Sequence, residues 1–324
     1  MRLVVFEGTI HHMLLLHLSD VDEANWALKF REALGDYPVV RRGDDFDPAD
    51  IRYIFVWKPK PDAFDGLTNL KAVLSLGAGV DALLRHPKLP RDVPMVRFID
   101  EDLSQKMTDY VVAQVTMHHR LFTRYQADQK ARRWVQLYPP AASESVVGIM
   151  GMGVLGQHAA ERLKALGFTL RSWSRSPRSV EGVEGFAGDA QFDAFLGGTD
   201  ILVNLLPLTP ETQGILNYET FSKLRRKLDG GPVIVNGARG GHQKEADIAR
   251  ALRDGTLGAA SLDVFEVEPL PAESPLWDIP NCYITPHIAA ISNERTGVSY
   301  FSRILKDHEA GKPLVNVVDF SRGY

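Results

Sequence analysis

At 324 residues the chain is longer than a single hydrophobic core usually grows, so two domains are expected. Its net charge of −4, with acids and bases mixed along the chain, supplies no basic stripe for nucleic acid, and nucleic-acid binding is excluded as an expectation. Cys282 is the only cysteine, which excludes an internal disulfide and fits the reducing cytoplasm; the apolar run before Glu7 is too short for a signal-peptide core, and no other run spans a bilayer, so a soluble protein is expected.

In chain order, apolar runs of strand length stand at residues 3–6, 53–57, 72–76 and 95–98, with a helical pattern over 21–34 between the first two. That alternation reads as a first α/β domain. A long helical pattern follows from 101 to about 124, with Met107, Val111, Val115 and Phe122 on one face and Tyr110 and Leu121 beside it. Its length suggests a helix between domains or subunits. After the Tyr138-Pro139-Pro140 break come strand candidates at 146–150, 168–173, 201–205, 233–236, 259–263 and 282–284, separated by helical segments such as 155–166 and 245–252. Such alternation predicts a doubly wound parallel sheet with ligands at the carboxyl ends of its strands. A last helical stretch, 293–309, is placed to return to the first domain.

The most specific signal lies in VVGIMGMGVLGQHAAERLKALGF, where Gly151, Gly153 and Gly156 stand between an apolar run and an amphipathic one. A strand, a phosphate turn and a helix are expected there. The first glycine permits the tight turn, the second the approach of a pyrophosphate, and the third close packing of helix on strand, with the anion on the helix N-terminus. Met152, Val154 and Leu155 complete the expected turn. Where an NAD site usually carries an acidic residue about 20 positions on, the second strand here ends in Ser174-Arg175-Ser176-Pro177-Arg178. No carboxylate repels a 2′-phosphate, and two guanidiniums are available to bind one, so NADPH is favoured over NADH; the plainer alternative is a solvated basic turn.

Three side chains stand at or just past later strand ends: Arg239 in VIVNGARGG, Glu268 in SLDVFEVEPLP and His287 in YITPHIAA. Together they suit reduction of a 2-keto acid. An arginine holds the carboxylate and keto oxygen, an imidazolium donates a proton as hydride arrives, and a carboxylate beside His287 favours the charged ring and orients it. Singly, each also reads as an ordinary surface or loop residue. In the first domain, Leu76-Gly77-Ala78-Gly79 offers low-bulk amides for a substrate carboxylate, or is an ordinary strand-to-helix turn. Trp57 walls a small pocket or belongs to the core.

GMGVLG, NGARG, DVFEVEPLP and ITPHIAA occur in the order and spacing of the D-isomer-specific 2-hydroxyacid dehydrogenases, which the chain resembles over essentially its whole length. VWKP, LGAGVDALL, the serine-arginine turn and the ending SRGY are similar, more narrowly, to the bacterial glyoxylate/hydroxypyruvate reductase A group. The resemblance implies two Rossmann-like domains with doubly wound parallel sheets: a discontinuous substrate-binding domain, 1–101 and 291–324, and an NADP(H)-binding domain, 102–290, with the active site in the interdomain cleft. It implies amides of 76–79 on the substrate carboxylate, Trp57 lining the substrate site, and Leu206, Pro207, Ala238 and Asp263 among the cofactor contacts. It also implies a homodimer built largely through the cofactor domain; no metal site is expected. Gly237 departs from the pattern, since many relatives carry a bulkier residue there, which would alter pocket shape slightly.

The resulting expectation is NADPH-dependent reduction of small 2-keto acids, glyoxylate to glycolate and hydroxypyruvate to D-glycerate, with Arg239, Glu268 and His287 catalytic and His287 the proton donor. NADH is expected to serve more weakly. Two rivals stand beside it: an NAD-linked dehydrogenase for a larger 2-hydroxy acid, and a non-catalytic dinucleotide sensor, which fold alone does not exclude. Crossings between domains near 100–103 and 290–293 suggest a hinge that closes over the ligands.

Overall fold

The computed structural model describes residues 12–323, so the strand expected at 3–6, together with Tyr324, lies outside the described residues. The elements are, in chain order, β1 (Met13–Leu18), α1 (Glu23–Leu34), β2 (Val39–Arg41), β3 (Ile51–Trp57), β4 (Ala72–Ser75), α2 (Asp81–Leu84), β5 (Met95–Arg97), α3 (Glu101–His119) and α4 (Phe122–Lys130). There follow β6 (Val146–Met150), α5 (Val154–Ala165), β7 (Thr169–Ser174), β8 (Val183–Ala187), α6 (Phe192–Gly197), β9 (Ile201–Asn204) and α7 (Tyr218–Ser222). The remainder are β10 (Val233–Asn236), α8 (Glu245–Asp254), β11 (Ala259–Leu262), β12 (Cys282–Ile284) and α9 (Glu294–Glu309). No helix among the described residues is long and apolar enough to cross a membrane.

Proximity of Cα atoms divides the chain into two compact units, one holding residues up to Asp102 and from Ser292 onward, the other Leu103–Ile291. In the first, a five-stranded parallel sheet runs in the order β2-β1-β3-β4-β5. Phe55 on β3 faces an aromatic cluster, its ring 5.3 Å from Trp26 and 5.1 Å from Phe30, both on α1, and 5.0 Å from Phe301 on α9. The C-terminal helix is therefore part of the first core. Ile54 and Val56 point the other way, among Val73, Val80 and Leu83.

The second unit is a seven-stranded sheet, β12-β11-β10-β9-β6-β7-β8, parallel throughout. Strand residues alternate between its two covered faces, as a sheet buried on both sides requires. Ile149, Val203 and Val235 meet Val111 and Val115 of α3 and Ala159 and Leu163 of α5. Met150, Leu202 and Ile234 meet Phe195 of α6 and Ile248 and Leu252 of α8. The order of winding reverses between β6 and β9, the place where open sheets of this kind bind ligands.

The single helix expected over 101–124 is two helices. Leu121 adopts a left-handed backbone, φ 58°, and is buried, while Phe122 begins α4 and is exposed, so Phe122 does not share the face of Met107, Val111 and Val115. The break follows two buried histidines that tie the end of α3 to the sheet: His118 Nε2 lies 2.8 Å from Ser261 Oγ, and His119 Nδ1 lies 3.2 Å from Ser145 Oγ. A residue with a Cβ occupies the left-handed region only where surrounding contacts hold it there.

Burial alone lowers the pKa of His118 from 6.5 to about 4. The folded state thus resists a proton that the unfolded chain accepts, so the stability is intact above pH 6.5 and is lost as pH falls toward 4. The loss from this one group is about 3 kcal/mol. His118→Gln, which keeps a polar partner for Ser261, is expected to flatten the acid limb of stability by about that amount. Denaturant melts of both proteins between neutral pH and pH 4 check it, and parallel acid limbs would refute it.

Candidate active site

The glycine motif forms the turn that its spacing predicts. Gly151 has φ 95°, a conformation L side chains rarely adopt, and a Cβ there would lie 2.6 Å from Leu205 O. A Cβ on Gly156, in the first turn of α5, would overlap Gly151 O, which is why helix and strand approach so closely. Gly153, the residue preceding α5, opposes nothing: a Cβ there would meet no atom within 4 Å. A turn closed on two sides and open at its middle glycine fits a pyrophosphate set on the start of α5. Met152 turns its side chain into the core, while Val154 is exposed and Leu155 half-buried.

Parallel pairing sets Met150 beside Trp173, and Gly151 N donates to Trp173 O at 3.0 Å. The basic turn at 174–178 thus leaves the strand adjacent to the glycine turn. Ser174 is largely buried and its hydroxyl donates to Ser176 O at 2.9 Å, which bends the chain so that Arg175, Ser176 and Arg178 are exposed. These residues fit a phosphate on the 2′ side of an adenosine ribose, and no acidic residue lies among them.

On the far side of the switch point, Leu205 N donates to Met150 O at 2.8 Å, carrying Leu206 and Pro207 off the end of β9. After β10 come Gly237, Ala238 and Arg239. A side chain at Gly237 would press on Met107 of α3, its Cβ 3.2 Å from the sulfur, so the glycine relieves packing against that helix. Arg239 is half-buried and one guanidinium nitrogen donates to Ala238 O at 2.8 Å. His242, fully buried, has Nδ1 3.2 Å from Arg239 O and Nε2 3.2 Å from Pro207 O, so its ring spans the two loops.

The structure brings Glu268 and His287 together. Glu268 Oε2 lies 2.7 Å from His287 Nδ1, and Oε1 accepts from Phe265 N at 3.1 Å. With Nδ1–H donated to the carboxylate, Nε2 is the nitrogen left to face a reactant. His287 has φ 56°, unusual for a residue with a Cβ, and its N–H lies 2.8 Å from Asp263 O and 3.0 Å from Thr285 O. Asp263 is buried, and its carboxylate accepts from Thr285 Oγ1 at 2.6 Å, Ile288 N at 2.8 Å and Ala289 N at 2.9 Å. Its oxygens in this structure serve the loop that presents His287. Both members of the His287–Glu268 pair are solvent-accessible.

In the first unit, Leu76 N donates to Val56 O at 3.1 Å and Gly77 O accepts from Phe98 N at 3.4 Å, which ties 76–77 to the sheet and leaves Ala78 and Gly79 progressively more exposed. A Cβ on Gly77 would lie 2.8 Å from the ring of Trp57, so the half-buried indole covers this loop rather than filling the core.

Sequence reasoning did not single out Asn204, Asn236, His242, Gln243 and Thr285. One signal was present: β9 and β10 read ILVN and VIVN, two apolar strands that each end in asparagine. Register pairs those asparagines directly.

The family profile described as D-isomer specific 2-hydroxyacid dehydrogenase, NAD binding domain, matches residues 112–289. A glyoxylate/hydroxypyruvate reductase A of Escherichia fergusonii is 44% identical over 317 residues, 96% of this chain and 99% of that one. The NADPH-dependent glyoxylate/hydroxypyruvate reductase of Sinorhizobium meliloti, crystallised with NADP and sulfate, superposes with a TM-score of 0.90 at 45% identity, covering 97% of this chain and all (100%) of that one. A D-isomer specific 2-hydroxyacid dehydrogenase from Xanthobacter autotrophicus Py2, in complex with NADPH and MES, matches with a TM-score of 0.90 at 41% identity over 96% of this chain and 99% of its own. The family profile covers more than half of the chain and relatives above 40% identity match nearly all of it, so the chain belongs to the D-isomer-specific 2-hydroxyacid dehydrogenase family.

Proposed function

We propose that the chain is an NADPH-dependent reductase of small 2-keto acids, taking glyoxylate to glycolate and hydroxypyruvate to D-glycerate. The observation that carries the reading is the 2.7 Å contact between His287 Nδ1 and Glu268 Oε2 at the strand ends of a dinucleotide-binding sheet. The names of relatives such as the E. fergusonii and S. meliloti reductases support the substrate and the cofactor.

The bound cofactor supplies the hydride. Arg239, in the second unit, holds the substrate carboxylate and polarises the keto oxygen; in the first unit, the amides of residues 76–79 and Trp57 are assigned to the substrate by the family resemblance alone. His287 delivers a proton from Nε2 to the oxygen that becomes the hydroxyl, and Glu268 keeps the ring in the orientation and tautomer this requires. Gly151–Gly156 cradle the pyrophosphate. Arg175 and Arg178, with the Ser174 and Ser176 turn, take the 2′-phosphate, while Leu206, Pro207, Ala238 and Asp263 flank the remainder of the cofactor. A cytoplasmic homodimer belongs to the same reading. The dimer, though not the location, is supported by Trp134 and Tyr138, aromatic rings standing almost wholly in solvent on the segment after α4.

His287→Ala is expected to lower kcat for glyoxylate by roughly 100-fold or more with NADPH affinity kept, and Arg239→Ala to impair both KM and kcat. Steady-state kinetics on the two variants check this; near-normal turnover by His287→Ala would falsify the donor assignment. Arg175→Ala is expected to raise the KM for NADPH on the order of tenfold, since a charged hydrogen bond to phosphate is worth about 1.5–3 kcal/mol, while changing that for NADH little. Equal efficiency of the wild-type protein with the two cofactors would sink the phosphate-site assignment.

A further inference from the structure

Three side-chain amides lie fully buried beneath the candidate site. Asn204 and Asn236 end neighbouring strands in register, and Gln243 follows the turn that carries Arg239. Asn204 Nδ2 donates to Asn236 Oδ1 at 3.0 Å; Asn236 Nδ2 donates to Gln243 Oε1 at 2.8 Å and to Arg239 O at 3.1 Å; Gln243 Nε2 donates to Val264 O at 2.8 Å. The same asparagine oxygens accept from Leu206 N at 3.3 Å and Ala238 N at 3.2 Å. Each amide thus both donates and accepts, and the donors run one way across three strand ends. A buried amide without partners is costly, so this chain of bonds is satisfied only when the three loops hold one relative spacing.

The loops tied together are those of the proposed chemistry. Val264 precedes Phe265, whose N–H holds Glu268 Oε1, and Arg239 precedes Gly240, where a Cβ would collide with Phe265 O. An outer pair of bonds, Glu266 N to Glu245 Oε1 at 2.8 Å and Glu245 N to Glu266 Oε1 at 3.1 Å, ties the same two segments at the surface. Gln243 is the inner tie, shielded from water. We propose that Gln243, with Asn236 as its donor, is a positioning residue that sets the spacing between Arg239 and the Glu268–His287 pair. It touches neither substrate nor cofactor and acts through the backbone at Arg239 and Val264. The proposal rests on the reading of Arg239, Glu268 and His287 as the reductase site.

The test is Gln243→Met, which keeps the length of the side chain and removes its bonds to Asn236 and Val264 O together with the longer one, 3.4 Å, to Glu245 Oε1. The full-length variant is expected to melt cooperatively, to bind NADPH within about twofold of wild type by fluorescence titration, and to lose about tenfold in kcat for glyoxylate, the scale on which small misplacements of reacting groups act. In a Glu268→Gln background the same substitution is expected to cost less than about threefold, because residues acting through one another do not add. Wild-type kcat in the folded variant, or a loss that multiplies in full in the Glu268→Gln background, would overturn the proposal. If Gln243→Met does not fold, Gln243→Asn, which retains an amide but withdraws it by one methylene from Val264 O, is read in the same way. Failure of the reductase reading itself is separable, since it appears as retained turnover in His287→Ala whatever Gln243 does.

Discussion

Seven parallel strands present their carboxyl ends along one edge, and every candidate group of the second unit hangs from that edge. Parallel ladders fix the register between neighbours, so Met150, Asn204 and Asn236 stand level, and the glycine turn, the Leu206–Pro207 loop and the Arg239 loop start from the same height. The close contact of Gly156 with Gly151 O sets how near α5 comes to the sheet, and with it where an anion would rest. A side chain at either glycine would move the phosphate turn and the start of the helix together.

The edge is costly to build because strand ends buried on both faces leave polar backbone groups without water. The chain answers with side chains: Asn204 and Asn236 at two ends each hold a backbone N–H of the loop that follows, and Asp263, just past a third, holds those of Ile288 and Ala289 in the loop after the neighbouring β12. Asp263 accepts three bonds from the segment around His287, which is how a residue with a Cβ is held at φ 56°. The site is rigid beneath and open above, since the pair that meets solvent, Glu268 and His287, stands on loops whose bases are buried and hydrogen-bonded. Such an arrangement holds an imidazole and its carboxylate partner in one geometry, which is what the proposed proton donor requires.

Much of this architecture was legible in the chain. Residues 146–150, 233–236 and 282–284 form strands at the expected bounds, because each is an apolar run closed by a turn or a polar residue. Three strands were not legible: MLLLHL at Met13–Leu18 is apolar on both faces and shows no alternation, Val39–Arg41 is three residues long, and the edge strand Val183–Ala187 holds a glycine and two exposed positions. The helix pattern over 101–124 continued past its true end at His119, because apolar period alone carries no record of the buried serines to which His118 and His119 are bound.

By itself the sequence determined the alternation of strands and helices, the glycine spacing that only a close strand-to-helix turn satisfies, and the substitution of arginine for an acid after the second strand, since each is a local property of neighbouring residues. Tertiary structure alone decided that Glu268 and His287, 19 positions apart, share a 2.7 Å contact, that Asp263 accepts bonds from the loop carrying His287, and that Asn204, Asn236 and Gln243 join into one buried chain of amides. Those pairings depend on register between strands distant in sequence and on burial that leaves a polar group no partner but another side chain, and neither is written in the order of residues along any single segment.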